Sequence, residues 1–204
     1  MTKKLVYLMI SVLGNALGTA LMVNSDMGLT AWGSAAFNLG TFFHLSFGTA
    51  FILLALFFFG IAIALSRRFH LLDIILSLGF LVSFGMLSDV FIGWLSFIKS
   101  WDLVFRVIMN FFGLCILLYA IALHLKILIA VHPCDVFLYQ MQVRLKSDFW
   151  GTNLTYGIAF GIAIAFGLFS GAISGIGLGT IMTVTLSGAI IRLFNRTLLV
   201  KLTF

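Results

Sequence analysis

Glutamate is absent from this chain of 204 residues, proline occurs once, and cysteine occurs twice. Charged residues make up 9% of it, against about 25% in an ordinary soluble domain. Each scarcity excludes something. Without glutamate there is no His-Glu-x-x-His metal helix, and no Gly-rich phosphate loop ending in Lys occurs either. Cys115 and Cys134 supply neither a disulfide framework nor metal-ligand spacing. No enzyme, cofactor or metal centre is expected. With so few charges, the long apolar runs have no polar face to turn toward water.

What is abundant is apolar. The chain is 62% hydrophobic, with 23 Phe and 20 Gly, and its mean hydropathy is +1.21. That exceeds what a soluble core needs and marks an integral membrane protein whose first partner is the lipid bilayer. Small and aromatic residues suit close helix packing in lipid. The net charge of +6 does not indicate nucleic acid, because the basic residues sit in short loops between apolar runs. Lys3 and Lys4 before the run Leu5 to Val23 resemble a signal peptide. The run is long and no cleavage site follows, so it reads as a retained first helix.

A spanning helix needs about 20 mostly apolar residues. Six runs qualify: Leu5 to Val23, Phe47 to Leu65, Leu71 to Ile98, Leu103 to Leu123, Gly151 to Phe169 and Ile176 to Phe194. Two segments are too short or too polar to cross comfortably, Ala31 to Leu45 and Ala130 to Leu145. The order of span, short segment, span, span therefore occurs twice, over residues 4–98 and 102–196 of a single transmembrane domain. Landmarks recur in the same order. Gly28-Leu29-Thr30-Ala31-Trp32-Gly33 aligns with Ala130-Val131-His132-Pro133-Cys134-Asp135. Gly48-Thr49 recurs as Gly151-Thr152, and Phe59-Gly60-Ile61-Ala62-Ile63-Ala64 as Phe160-Gly161-Ile162-Ala163-Ile164-Ala165.

Charge sets the topology. If the short segments do not cross, three spans per half leave the halves in opposite orientation. Lys3, Lys4, Arg67, Arg68, Lys126, Arg144, Lys146, Arg192, Arg196 and Lys201 then share one side, and only Lys99 and Arg106 face the other. The positive-inside rule makes the populated side cytoplasmic, with both termini there. The expected fold is all-α: six transmembrane helices plus two short re-entrant or interfacial helices, as an inverted 3+3 repeat.

The polar residues cluster at the breaks. Pro133 suits a helix start, and Asp135 and, in the first copy, Ser34 are candidate N-caps. Half-helix N-termini attract anions. If they re-enter and meet, His132, Pro133, Cys134 and Asp135 face Thr30, Trp32 and Ser34 across a ligand site. Read otherwise, the same residues form a structural corner. Asp89 and Arg106 flank one turn and form a candidate intramembrane ion pair, functional or structural. Asn15, Asn110 and Asn153 are candidates for a polar path or for cross-helix ties. Small residues at Gly14, Ala16, Gly18 and Ala20 permit close contact within the bundle, with a partner membrane protein or in a homo-oligomer.

These residues carry a resemblance. The repeated break followed by Gly-Thr, and Gly175-Ile176-Gly177-Leu178-Gly179-Thr180 opening the last helix, resemble the bacterial YczE/YyaS family, distantly similar to YitT. That family has a Gly-x-x-Pro-Trp/Phe-Asp break in each half. The second copy matches at Pro133 and Asp135, with Cys134 at the aromatic position. The first matches at Gly28 and Trp32, with Ala31 and Gly33 in place of Pro and Asp. The resemblance implies a multi-pass protein of the bacterial inner membrane, described as a transporter or permease. Function then divides two ways: a small-solute permease with its site between the repeats, for an anionic or zwitterionic metabolite, or a non-transporting membrane subunit of a larger importer or assembly.

Overall fold

Among its described residues the protein is all-α, with six helices long and apolar enough to cross a membrane, as in a multi-pass membrane protein. The structure is a computed structural model and describes residues 2–45, 47–66, 71–127 and 132–199. Its helices are α1 (Thr2–Ser25), α2 (Ala31–Phe43), α3 (Phe47–Ser66), α4 (Leu71–Trp94), α5 (Leu103–Ile127), α6 (Pro133–Leu145), α7 (Asp148–Phe169) and α8 (Leu178–Arg196). A short 3-10 turn, Ser96–Ser100, follows α4. The fourth span thus ends earlier than its apolar run suggests, because the chain must turn before Asp102. The fifth runs on to Ile127, since the polar His124 and Lys126 continue the helix. Among the residues that carried the topology argument, Arg67, Arg68, Lys201, Ala130 and Val131 lie outside the described residues.

The two halves share one register. α2 and α6 are both 13 residues long, and each ends on a left-handed residue, His44 or Lys146. Their packing corresponds as well. α1 lies along α5, α2 packs on α7 as α6 packs on α3, and α4 packs on α1 as α8 packs on α5. One pair breaks the pattern: α7 and α8 pack closely, whereas α3 and α4 barely touch.

The short helices run in opposite directions. Phe42 and Phe43 at the end of α2 meet Phe166 at the C-terminal end of α7. Arg144 at the end of α6 donates to Leu65 O at the opposite end, where α3 finishes. Each short helix begins buried and ends exposed: Ala31 to Ala36 and Pro133 to Leu138 are inside, while Phe43 and Leu145 are outside. Burial thus falls along each short helix from its start to its end. A surface helix would instead show one buried stripe along its length.

Small residues fix the central contact. A Cβ on Gly18 would stand 2.7 Å from Gly113 O and 2.8 Å from Leu117 Cβ, so only glycine lets α1 lie this close to α5. Gly14 faces Ala120 of the same helix. The Gly14/Gly18 stripe is therefore spent inside the protein rather than offered to a partner. The loops before α2 and α8 cross backbone to backbone. Leu29 N donates to Gly175 O at 2.9 Å, and Gly179 N to Met27 O at 2.8 Å. Gly28 makes that crossing with φ of 107°, and a Cβ there would meet Gly177 at 2.8 Å.

Candidate functional site

The starts of α2 and α6 meet at one small cavity of about 40 Å³. On that measure a water needs roughly 10–15 Å³, so there is room for about three. Its walls include Thr30, Trp32 and Gly33 from the first break, His132, Cys134 and Asp135 from the second, Asn15 and Thr19 of α1, and Tyr156 of α7. Phe51, Phe84, Leu117 and Ile121 close it with apolar surface. Thr30, Trp32, His132, Cys134 and Asp135 are thus brought together as the two-break alignment expects. Pro133 and Ser34 are buried but do not line the cavity.

The caps differ from expectation. Thr30 and His132 are the N-caps, not Ser34 and Asp135. Thr30 Oγ1 accepts from Gly33 N at 2.9 Å, and His132 Nδ1 accepts from Cys134 N at 3.3 Å. The reason lies in Pro133. Having no N–H, proline occupies the first helical position without loss, which places the cap one residue before it. Ser34 instead donates to Gly175 O at 2.8 Å, tying α2 to the loop before α8.

Asp135 is released for other work. Its Oδ2 lies 2.9 Å from His124 Nε2 on α5, at ion-pair distance but without the alignment of an in-line hydrogen bond. On the other side of that ring, Ser11 Oγ and Asn15 Nδ2 lie 2.9 and 3.3 Å from Nδ1. His124, Ser11, Asn15 and Asp135 are all buried. A polar cluster of three helices therefore sits inside an apolar bundle, with Asn15 and Asp135 also on the cavity wall.

His132 is boxed by three phenylalanines, Phe51, Phe80 and Phe84, at ring-centroid distances of 5.7, 5.6 and 5.2 Å. Burial there lowers its pKa from 6.5 to about 4, with Asp135 opposing the shift and His124 adding to it. The ring is neutral near pH 7. Since Nδ1 accepts, its proton is on Nε2. Burial, reinforced by Asp135, pushes the Cys134 thiol well above its ordinary range and keeps it protonated near pH 7.

The remaining candidates resolve differently. Arg106 does not pair with Asp89. Its Nε donates to Ser25 O at 2.7 Å and its guanidinium meets Asp26 Oδ2 at 3.1 Å. Sequence order suggested neighbours, but α1 packs on both α4 and α5, and α4 and α5 do not pack on each other. Asp89 is exposed and forms no ion pair among the described residues. It borders two wider spaces. One, of about 690 Å³, includes Asp26, Leu29, Phe37 and Lys99. The other, of about 200 Å³, lies between α3 and α4 and shares Phe51 and Phe84 with the central cavity. The asparagines also divide. Asn15 lines the cavity, Asn110 donates to Ser25 Oγ and Gly28 O at 2.8 and 2.9 Å, and Asn153 accepts from Gly188 N at 3.3 Å.

Sequence reasoning passed over Ser11, His124 and Tyr156. His124 carried a usable signal, an ionisable residue in the last turn of an apolar run. Ser11 and Tyr156 carried none, because a hydroxyl in a span gives no hint of its neighbour. Among the described residues no group of three His, Cys, Asp or Glu is placed to hold a metal.

No curated protein and no solved structure matches the chain. A family model does, over residues 2–196, and the chain belongs to that family of unknown function, DUF6198.

Proposed function

We propose that this protein is a small-solute transporter of a bacterial cytoplasmic membrane, with both termini cytoplasmic and its binding site at the central cavity. One observation carries the reading: the two short helices run in opposite directions and begin at the same small pocket, where polar side chains stand among apolar walls. In secondary transporters built from inverted repeats, broken helices meet at a midplane site in this way, and one half rocks against the other around it. The buried His124–Asp135 pair supports it, since ionisable groups inside a membrane bundle are costly to keep there. The space between α3 and α4 meets the cavity across Phe51 and Phe84 and is the side from which we take access to occur. The helix N-termini favour an anionic or zwitterionic solute. Kinship with the YczE/YyaS group belongs to the same proposal and rests on Pro133, Asp135 and the repeated break.

The test is uptake by proteoliposomes of the purified protein, using pooled labelled metabolites. Wild type accumulates at least one solute, and Asp135→Ala, folded by its thermal profile, does not. Equal uptake by the variant removes Asp135 from the site, and no uptake of any solute overturns the reading.

A further inference from the structure

Among the described residues, three that line the pocket carry a side-chain polar atom with no hydrogen-bond partner: Trp32 Nε1, His132 Nε2 and Tyr156 Oη. They are 5%, 6% and 1% exposed, so water outside the protein does not serve them. Buried polar groups almost always find a partner, and each exception needs a reason. An indole N–H is donor only. The His132 Nε2 carries the ring proton because Nδ1 accepts from Cys134 N, and a tyrosine hydroxyl can donate. The phenylalanines around His132 do not replace an oxygen acceptor, since N–H···π contacts are second-order. Three residues that line one pocket at the N-terminal ends of two helices thus carry unused donors. The one carboxylate on that wall, Asp135, already has His124 at ion-pair distance.

We infer that the cavity binds a small monoanion, a carboxylate or inorganic oxyanion of three or four heavy atoms, whose oxygens accept from Trp32, His132 and Tyr156. The size follows from the space of about 40 Å³, and the charge sign from the excess of donors and the helix N-termini. The aromatic rings by themselves suit a cation, but a cation leaves all three donors unserved. The inference rests on the reading of the cavity as the solute site, and it names the solute.

Binding is measured on the purified full chain in detergent, by thermal shift and by Trp32 fluorescence after Trp94, Trp101 and Trp150 are changed to Phe. The probes are formate, acetate and nitrate, with formamide as the neutral counterpart and methylammonium as the cation, at constant ionic strength held by a bulky sulfonate. At least one anion stabilises saturably, while formamide and methylammonium do not, and formate against nitrate separates carboxylate from inorganic oxyanion. Trp32→Phe with Tyr156→Phe keeps an aromatic ring at each position, removes two donors and weakens binding at least tenfold by thermal shift. Should that double variant not fold, each single variant and the comparison of formate with formamide in wild type decide the matter. Absence of saturable anion binding, equal binding of formamide or methylammonium, or unchanged affinity in the variants overturns the inference. Uptake of a cation alone by proteoliposomes overturns it too and leaves the transport reading standing. Anion binding without any uptake does the reverse.

Discussion

His124 Nε2 and Asp135 Oδ2 stand 2.9 Å apart, joining α5 to the start of α6 where neither side chain is more than 6% exposed. The contact crosses the break that separates the two helices in sequence, so the second half-helix is anchored at depth by a charge-capable pair.

Removing one partner should cost more than removing both. Asp135→Asn leaves His124 among Ser11, Asn15 and Phe80 with no carboxylate nearby. The expected loss is about 3–5 kcal/mol, as for other half-removed buried pairs. Unfolding in detergent checks this. The double variant with His124→Gln should lose less than Asp135→Asn alone.

The pH dependence follows from His132. Its pKa falls to about 4 in the folded protein. As pH drops below about 6.5 the unfolded chain takes up a proton that the folded one refuses. Stability is therefore fully present above pH 6.5 and declines toward pH 4, by roughly 3 kcal/mol from this group. His132→Asn keeps a capping oxygen and should flatten the decline. Melting curves across that pH range show it.

Two glycine substitutions should differ in sign. Gly28→Ala forces a side chain onto a φ of 107° and into the Gly177 backbone, and should cost about 2–3 kcal/mol. Gly60 lies within α3 with open space where a Cβ would stand. Gly60→Ala should be neutral or stabilise by up to about 1 kcal/mol. Paired thermal melts compare them directly.

Arg106 supplies a test of helix placement. A double-mutant cycle should find coupling between Arg106 and Asp26, below about 1 kcal/mol because Asp26 is largely exposed. The same cycle between Arg106 and Asp89 should give none. Coupling to Asp89 would mean that α1 does not separate α4 from α5.

Cys134 reports on access. It is 2% exposed, and its thiol is held protonated. In a Cys115→Ala background a maleimide reagent should label wild type very slowly. Phe84→Ala, which removes part of the wall toward the α3/α4 space, should speed labelling at least tenfold. An unchanged rate would show that this space does not lead to the cavity.

The number of spans, the two breaks and the doubled order were all legible in the sequence. Hydropathy is additive along a chain, and a run of about 20 apolar residues has nowhere to go but the bilayer. The alignment of Thr30 with His132 was legible for the same reason, and the structure makes both residues caps. Which polar groups meet was not legible. The sequence offered Asp89 to Arg106 because they flank one turn, yet α1 lies against both of their helices and delivers Asp26 instead. It offered Asp135 as a cap, yet Pro133 moved the cap to His132 and left the carboxylate for His124. The partners Ser11, His124 and Tyr156 come from three different helices, and their contacts depend on rotations about helix axes that packing alone decides. Composition and periodicity determined how often the chain crosses and where it breaks. Only the close approach of α1 to α5 at Gly18 and the burial of two helix starts decided that those breaks line a single small cavity.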